Sequence, residues 1–187
     1  FLQAGLGYGG SCFPKDVSAF IHMAESAGVD FKILRAVREV NDHARSWAVD
    51  QLKKTLWNLR EKTIAVWGLA FKPETDDLRN SPALDIIRRL QSEGCLINAY
   101  DPVAMGKARA YLKKVRFCRN PYETVRGADA VLLCTEWKEF READLAQVKS
   151  LLRTPIFLDG RNVFEPATLS ALGFQYHSVG RSSPSVK

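Results

Sequence analysis

The sequence predicts an α/β protein: a helical segment followed by a doubly wound parallel sheet. Three observations predict it. From Lys62 onward, short apolar runs alternate with amphipathic stretches, an order that calls for parallel strands joined by right-handed crossovers. Ahead of Lys62 there are only two helical patterns, with apolar residues at three- and four-residue spacing. The 187 residues are 46% hydrophobic and 26% charged, a globular balance that excludes disordered, collagen-like and purely coiled-coil chains.

The elements can be justified in order. Residues 1–13 form a glycine-rich loop ending in Ser-Cys-Phe. Pro14 suits the first turn of a helix, which runs through Val17, Phe20, Ile21 and Ala24 and stops at Gly28. A second helix starts near Phe31 and meets no Gly or Pro until after Leu59. Ile33, Val37, Val40, Ala44 and Trp47 form its apolar stripe, continued by Ala48, Leu52, Leu56 and Leu59. Such a helix would be roughly 42 Å long, too long for one small domain to cover. A spacer that also packs on a partner chain is its natural use.

Thr63–Phe71 is then a buried-strand run and Ser81–Gly94 a capped helix. Strands follow at 95–101, 115–118, 130–135, 156–158 and 174–179. The helices between them are expected at 104–112, 121–127, 142–152 and 165–172. The expected organisation is a loop and helical region over 1–60, a sheet domain over 61–180 and a mobile tail over 181–187. A chain that opens on Phe-Leu-Gln-Ala, without an initiator Met, reads as the C-terminal part of something longer.

The net charge of +6 suits an anionic partner. Its cations are spread along the chain, and the pairs Lys53-Lys54 and Arg88-Arg89 fall on helix faces, which argues against a nucleic-acid stripe. No run reaches the roughly 18 apolar residues of a membrane span. Cys12, Cys95, Cys118 and Cys134 form no C-x-x-C pair, and His22, His43 and His177 do not cluster with them, so no metal site is expected. Without a disulfide framework or a signal peptide, the cytoplasm is the expected compartment.

Gly5, Gly7 and Gly10 spell G-x-G-x-x-G, but no strand precedes them and two helices follow. The letters are a decoy, and a loop that lets backbone approach a ligand is the better reading. Cys12 stands out because it precedes the Pro14 helix, where unpaired N–H groups and the macrodipole favour a thiolate, with Lys15 one turn away. Asp16 in the same turn could hold a water or orient Lys15. Lys72 and Arg79 lie in the loop after a strand, at the carboxyl edge where a doubly wound sheet binds phosphates, and Arg161 follows another strand end.

Five segments carry a family resemblance: Gly9-Gly-Ser-Cys-Phe-Pro-Lys-Asp16, Gly68-Leu-Ala-Phe-Lys-Pro-Glu-Thr-Asp-Asp-Leu-Arg79, Tyr100-Asp-Pro102, Thr135-Glu-Trp137 and Asp159-Gly-Arg161. They resemble the UDP-glucose/GDP-mannose dehydrogenase family, and Phe13 after the cysteine favours its UDP-glucose 6-dehydrogenase branch. GDP-mannose relatives tend to carry Leu there, and UDP-N-acetylmannosamine relatives have His before the cysteine. The resemblance covers essentially all of this chain and about the C-terminal two-fifths of the family.

It implies a Rossmann-like UDP-binding domain and a central dimerisation helix, hence a homodimer or higher oligomer. It also implies two oxidations of UDP-glucose to UDP-glucuronate, with NAD as cofactor. Cys12 is then the nucleophile, passing through a thiohemiacetal and a thioester, and Asp16 manages the hydrolytic water. Phe1, Leu2, Gln3, Ala4, Gly5, Tyr8 and Gly9 would lie over the sugar nucleotide, with Phe71, Lys72 and Arg161 as further substrate contacts. Lys15 and Arg79 fall on the cofactor side. The family's N-terminal NAD-binding domain has no counterpart in these residues. Three alternatives stay open: a related nucleotide-sugar dehydrogenase, a non-catalytic nucleotide-sugar binding and dimerisation module, and a thiol redox enzyme lacking a nearby resolving cysteine.

Overall fold

The computed structural model describes residues 3–181, and its elements follow the expected order. Helix α1 (Phe13–Ser26) carries Pro14 in its first turn and Cys12 at its N-cap. Helix α2 (Lys32–Leu56) folds back against it through the rings of Phe20 and Phe31, 5.7 Å apart, and an Arg35–Glu25 ion pair at 2.7 Å. Its 25 residues make α2 roughly 38 Å long. It ends at Leu56, short of Leu59, because Trp57 takes a left-handed φ of 61° that a right-handed helix cannot continue through. Ala48, Val49 and Leu52 are buried, whereas Ile33 and Val40 are 72% and 68% exposed. The described residues thus leave part of the stripe exposed.

Six parallel strands follow: β1 (Thr63–Trp67), β2 (Leu96–Tyr100), β3 (Val115–Phe117), β4 (Ala130–Leu133), β5 (Ile156–Asp159) and β6 (Gln175–Ser178). Their order is β3-β2-β1-β4-β5-β6. The connecting helices are α3 (Pro82–Ser92), α4 (Met105–Tyr111), α5 (Pro121–Val125), α6 (Lys138–Arg141), α7 (Leu145–Leu151) and α8 (Pro166–Ala171). The chain reverses its direction of travel across the sheet between β1 and β4. An open sheet leaves a crevice beyond its carboxyl ends at such a reversal.

Two expectations are corrected in detail. β1 stops at Trp67 rather than Phe71, because the amides of Leu69 and Ala70 leave the ladder and donate to the buried carboxylate of Asp101. The helix expected over 142–152 starts only at Leu145, capped by Asp144, whose side chain accepts the Gln147 amide at 3.0 Å. The single turn of α6 before it was not foreseen, since four residues are too few to show a helical period.

Side chains alternate between the two faces of the sheet. Ile64 and Val66 face the layer that contains α2, α3 and α4, while Ala65 and Trp67 face the opposite layer. Trp67 is fully buried, stacks on Phe140 at 5.2 Å and satisfies its indole N–H on Thr124 Oγ1 at 2.7 Å. No helix among the described residues is long and apolar enough to cross a membrane. Phe1, Leu2 and tail residues 182–187 lie outside the described residues; Arg181 is within them and bridges to Ser178.

The C-terminal half of α2 is tied to the sheet domain by polar contacts. Lys53 pairs with Glu93 at 2.7 Å, and Gln51 Nε2 lies 3.0 Å from Nδ1 of His177 on β6. Burial pushes the His177 imidazole below its ordinary value. The unfolded chain therefore binds more protons than the folded one as pH drops below about 6.5, and stability falls through that window. The urea midpoint should drop more between about pH 7.5 and about 5.5 for the unaltered chain than for His177→Gln. Equal drops would remove His177 as the cause.

Candidate functional site

Three strand ends and the glycine-rich loop converge at the reversal point. Phe71 and Lys72 follow β1, Glu136 follows β4 and Arg161 follows β5. With Gln3, Gly5, Gly7, Tyr8, Gly9 and Phe13 they line a cavity of about 870 Å³, closed on one side by Ile33, Ala36, Val37, Val40, Asn41 and Ala44 of α2. Its lining combines the cations Lys72 and Arg161 with aliphatic side chains of α2 and with aromatic rings, those of Tyr8 and Phe13 being 5.9 Å apart. A ligand with an anionic group and a flat or apolar part would suit it.

Arg161 is held by several bonds. Its backbone amide donates to the buried Asp159, its Nε to the Cys134 carbonyl at 2.8 Å and its Nη2 to the Phe71 carbonyl at 3.1 Å. Glu136 adds an ion pair at 3.2 Å to Nε. Lys72 is exposed, its ammonium 5.5 Å from the centre of the Phe71 ring. Asp159 owes its place to Phe164, whose amide donates to it at 3.0 Å, and to the Tyr176 hydroxyl at 2.8 Å.

The loop is seated by its own backbone. Leu6 is fully buried in the core. The Gly10 amide donates to the Arg79 carbonyl at 2.9 Å, and Asn80 Nδ2 donates back to the Gly10 carbonyl at 3.2 Å. Cys12 follows at the start of α1, exposed, with its Sγ 3.6 Å from Ser11 Oγ. Lys15 pairs with Asp16 at 3.3 Å, so in this structure its cation sits on the carboxylate rather than on the thiol.

The expected residues therefore divide into groups. Gln3, Gly5, Tyr8, Gly9, Phe71, Lys72 and Arg161 share the larger cavity, and Phe13 of its lining is the immediate neighbour of Cys12. Ala4 is exposed and outside that lining. Arg79 lines a separate cavity of about 720 Å³ together with Asp77, Lys107 and Tyr111. Its guanidinium grips Asp77 through Nε at 3.0 Å and Nη2 at 2.7 Å, which holds the Asp77 carboxyl below the usual carboxylate range. Lys72 and Arg79 do not meet in one cavity, although both leave the same sheet edge.

The described residues build no dinucleotide cradle. The loop of Gly5, Gly7 and Gly10 leads into two helices. The turn after β1 has one glycine, Gly68, and a Cβ there would overlap the side chain of Thr135.

Against this geometry stand the comparisons with known proteins. The UDP binding domain profile of the UDP-glucose/GDP-mannose dehydrogenase family matches residues 65–166, and the central domain profile matches residues 1–43. The chain belongs to this family. It is 46% identical over 182 residues to the UDP-glucose 6-dehydrogenase TuaD of Bacillus subtilis, covering 97% of this chain and 40% of that protein. A UDP-glucose 6-dehydrogenase of Pseudomonas aeruginosa is 46% identical over 190 residues, with 97% and 42% covered. Among solved structures, a UDP-glucose dehydrogenase from Pyrobaculum islandicum superposes with a TM-score of 0.78 at 39% identity, covering 85% of this chain and 35% of that one. An NDP-N-acetyl-D-galactosaminuronic acid dehydrogenase from Methanosarcina mazei gives 0.82 at 26% identity, covering 96% and 39%. The chain spans about two-fifths of the length of the curated relatives it matches.

Several residues in and around the larger cavity were not singled out from sequence. Asn41 and Arg45 hydrogen-bond the glycine loop from α2, and Glu136 forms an ion pair with Arg161. A faint signal existed for Asn41: a polar residue between Val37 and Ala44, on the side of the helix turned toward the loop. Asp101, quoted only as part of Tyr100-Asp-Pro102, accepts five N–H groups.

The thiols differ sharply in environment. Burial raises Cys95 to about 11 and Cys134 to about 12, and it moves Cys118 in the same direction. Iodoacetamide should therefore label Cys12 in the folded protein and leave the other three untouched, as peptide mass mapping would show. Labelling spread equally over all four would contradict this burial pattern.

Proposed function

We propose that this chain is the C-terminal portion of an NAD-dependent UDP-glucose 6-dehydrogenase, which oxidises UDP-glucose to UDP-glucuronate. What carries the reading is the convergence of Lys72, Arg161 and the glycine-rich loop on one cavity beside the exposed cysteine at a helix N-terminus. Residues 1–60 act as the catalytic loop and dimerisation region, and residues 61–180 as the UDP-sugar domain.

In this mechanism the diphosphate of UDP-glucose meets Lys72 and Arg161, while Gln3, Gly5, Tyr8 and Gly9 cover the nucleotide sugar. NAD would be held mainly by protein outside these 187 residues, with Lys15 and Arg79 at its edge, and would supply the oxidant, one NAD for each of the two hydrides lost from C6. Cys12 Sγ adds to the aldehyde carbon formed by the first oxidation, and the carbonyl oxygen takes up a proton to give a thiohemiacetal. The second oxidation turns that adduct into a thioester. Asp16 orients a water that attacks the thioester carbon, releasing the carboxylate and returning the thiol.

Two expected results test the reading. The 187-residue chain mixed with UDP-glucose and NAD should give no NADH, because the group that presents the cofactor is not in it; turnover would sink that account. In the full-length enzyme, Lys72→Ala should weaken UDP-glucose binding by about tenfold to a hundredfold, the worth of one charge-assisted contact. Unchanged calorimetric affinity would remove Lys72 from the substrate site.

The reading also includes a homodimer through α1 and α2. Phe20, Met23 and Val29, with Ile33, Val37 and Val40 at the rim of the cavity, leave an apolar face on these helices and the turn between them, and a second copy of the same face is the occupant proposed. Sedimentation at micromolar concentration tests it. A clean monomer of the full-length enzyme would overturn it.

A further inference from the structure

The side of α2 next to its exposed apolar face carries a polar contact that the proposed mechanism does not use. Asn41 is 8% exposed, and its side chain bonds both polar atoms of one backbone unit in the loop. The Tyr8 amide donates to Asn41 Oδ1 at 2.6 Å, and Asn41 Nδ2 donates to the Tyr8 carbonyl at 3.3 Å. Arg45, one turn further along α2, adds a bond from Nη2 to the same carbonyl at 3.2 Å. The residues joined are more than thirty positions apart in sequence. The loop is shaped for the contact: Gly7 has a φ of +91°, and a Cβ there would come within 2.6 Å of Asn41 Oδ1.

Tyr8 and Gly9 form part of the cavity wall, and Cys12 is only four residues beyond Tyr8. On its other flank the loop is fixed at Gly10 by Arg79 and Asn80. Residues 7–10 are thus suspended between α2 and the loop after β1, and the Asn41 contact sets one of the two anchor points.

We infer that Asn41, supported by Arg45, is a positioning residue that holds the glycine-rich loop at its working height over the cavity. It touches no reacting atom. It acts by fixing Tyr8, and through Tyr8 the backbone that faces the substrate. The inference rests on the proposed dehydrogenase reading for its kinetic consequence, but the latch itself is a property of this chain and has a readout of its own.

The test uses the full-length protein carrying Asn41→Ala and, separately, Asn41→Asp. Hydrogen exchange over residues 7–10 should be at least about tenfold faster in Asn41→Ala, the loss expected for about two hydrogen bonds. Asn41→Asp keeps an acceptor for the Tyr8 amide and should restore that amide's protection, which a mere loss of fold would not allow. With UDP-glucose as substrate, Asn41→Ala should raise KM by about tenfold or more while kcat falls much less, because the chemistry at Cys12 is intact and the binding surface is not. If the unaltered protein does not turn over UDP-glucose, the dehydrogenase reading fails, and the exchange result alone decides the latch. Unchanged exchange over residues 7–10 in Asn41→Ala would overturn it, as would an equal loss of protection in both variants.

Discussion

Replacing Cys12 by serine should abolish turnover in the full-length enzyme while leaving UDP-glucose binding largely intact. Serine is close in size to cysteine but offers no accessible anion near neutral pH, and a thioester cannot form on oxygen. The expected loss in kcat is at least about a thousandfold, the scale seen when a covalent nucleophile is removed. Binding should survive because the cationic contacts belong to Lys72 and Arg161, and Cys12 does not line the larger cavity. Calorimetry with UDP-glucose and steady-state NADH formation separate the two effects. Normal turnover in Cys12→Ser would mean that the nucleophile lies elsewhere. The thiol's position supports the assignment in a way its neighbours alone do not. It stands at the N-cap of a 14-residue helix, where backbone N–H groups are unpaired, and it is the exposed one of four cysteines.

The sheet was legible because its signal is local and repeated. Runs such as Ile64–Trp67 and Ala130–Leu133 are buried on both faces, so they read as unbroken apolar strands. Alternation with helices then leaves few topologies. The cut at Trp67 was not legible, because it depends on Asp101, over thirty residues away, drawing Leu69 and Ala70 out of the ladder. The site was legible in a similarly uneven way. Cys12, Lys72 and Arg161 stand out as chemistry-bearing types at strand and helix ends. Their assembly into one region, and the division that sends Arg79 to a second cavity, follow from loop paths no local pattern records. Asn41 and Glu136 act on other residues, so nothing in their immediate sequence marks them. Composition pointed to an anionic partner, and Lys72 and Arg161 are the cations that line the larger cavity.

Asp101→Ala should be the most destabilising single change at the site edge, lowering stability by at least about 3 kcal/mol. The carboxylate is fully buried. Its Oδ2 accepts the Leu69 amide at 2.7 Å, the Ala70 amide at 3.1 Å and the Trp137 indole N–H at 3.2 Å. Its Oδ1 accepts the amides of Val103 at 3.0 Å and Ala104 at 2.8 Å, ahead of α4. Removing the side chain leaves those donors facing a space with no acceptor, and each buried one costs about 1–3 kcal/mol. Asp101→Asn should not rescue, because one of its two polar ends becomes an NH₂ group set against N–H donors. For a chain of this size the alanine change corresponds to a melting point lower by roughly 6–12 °C. The same carboxylate joins three strand exits, those of β1, β2 and β4, and Phe71 and Lys72 continue directly from the first of them. UDP-glucose affinity should therefore fall in Asp101→Ala even at temperatures where the protein remains folded. A variant that melts within about 2 °C of the unaltered protein, with its affinity unchanged, would show that water can take over all five bonds, and Asp101 would lose its place as the pin of the carboxyl edge.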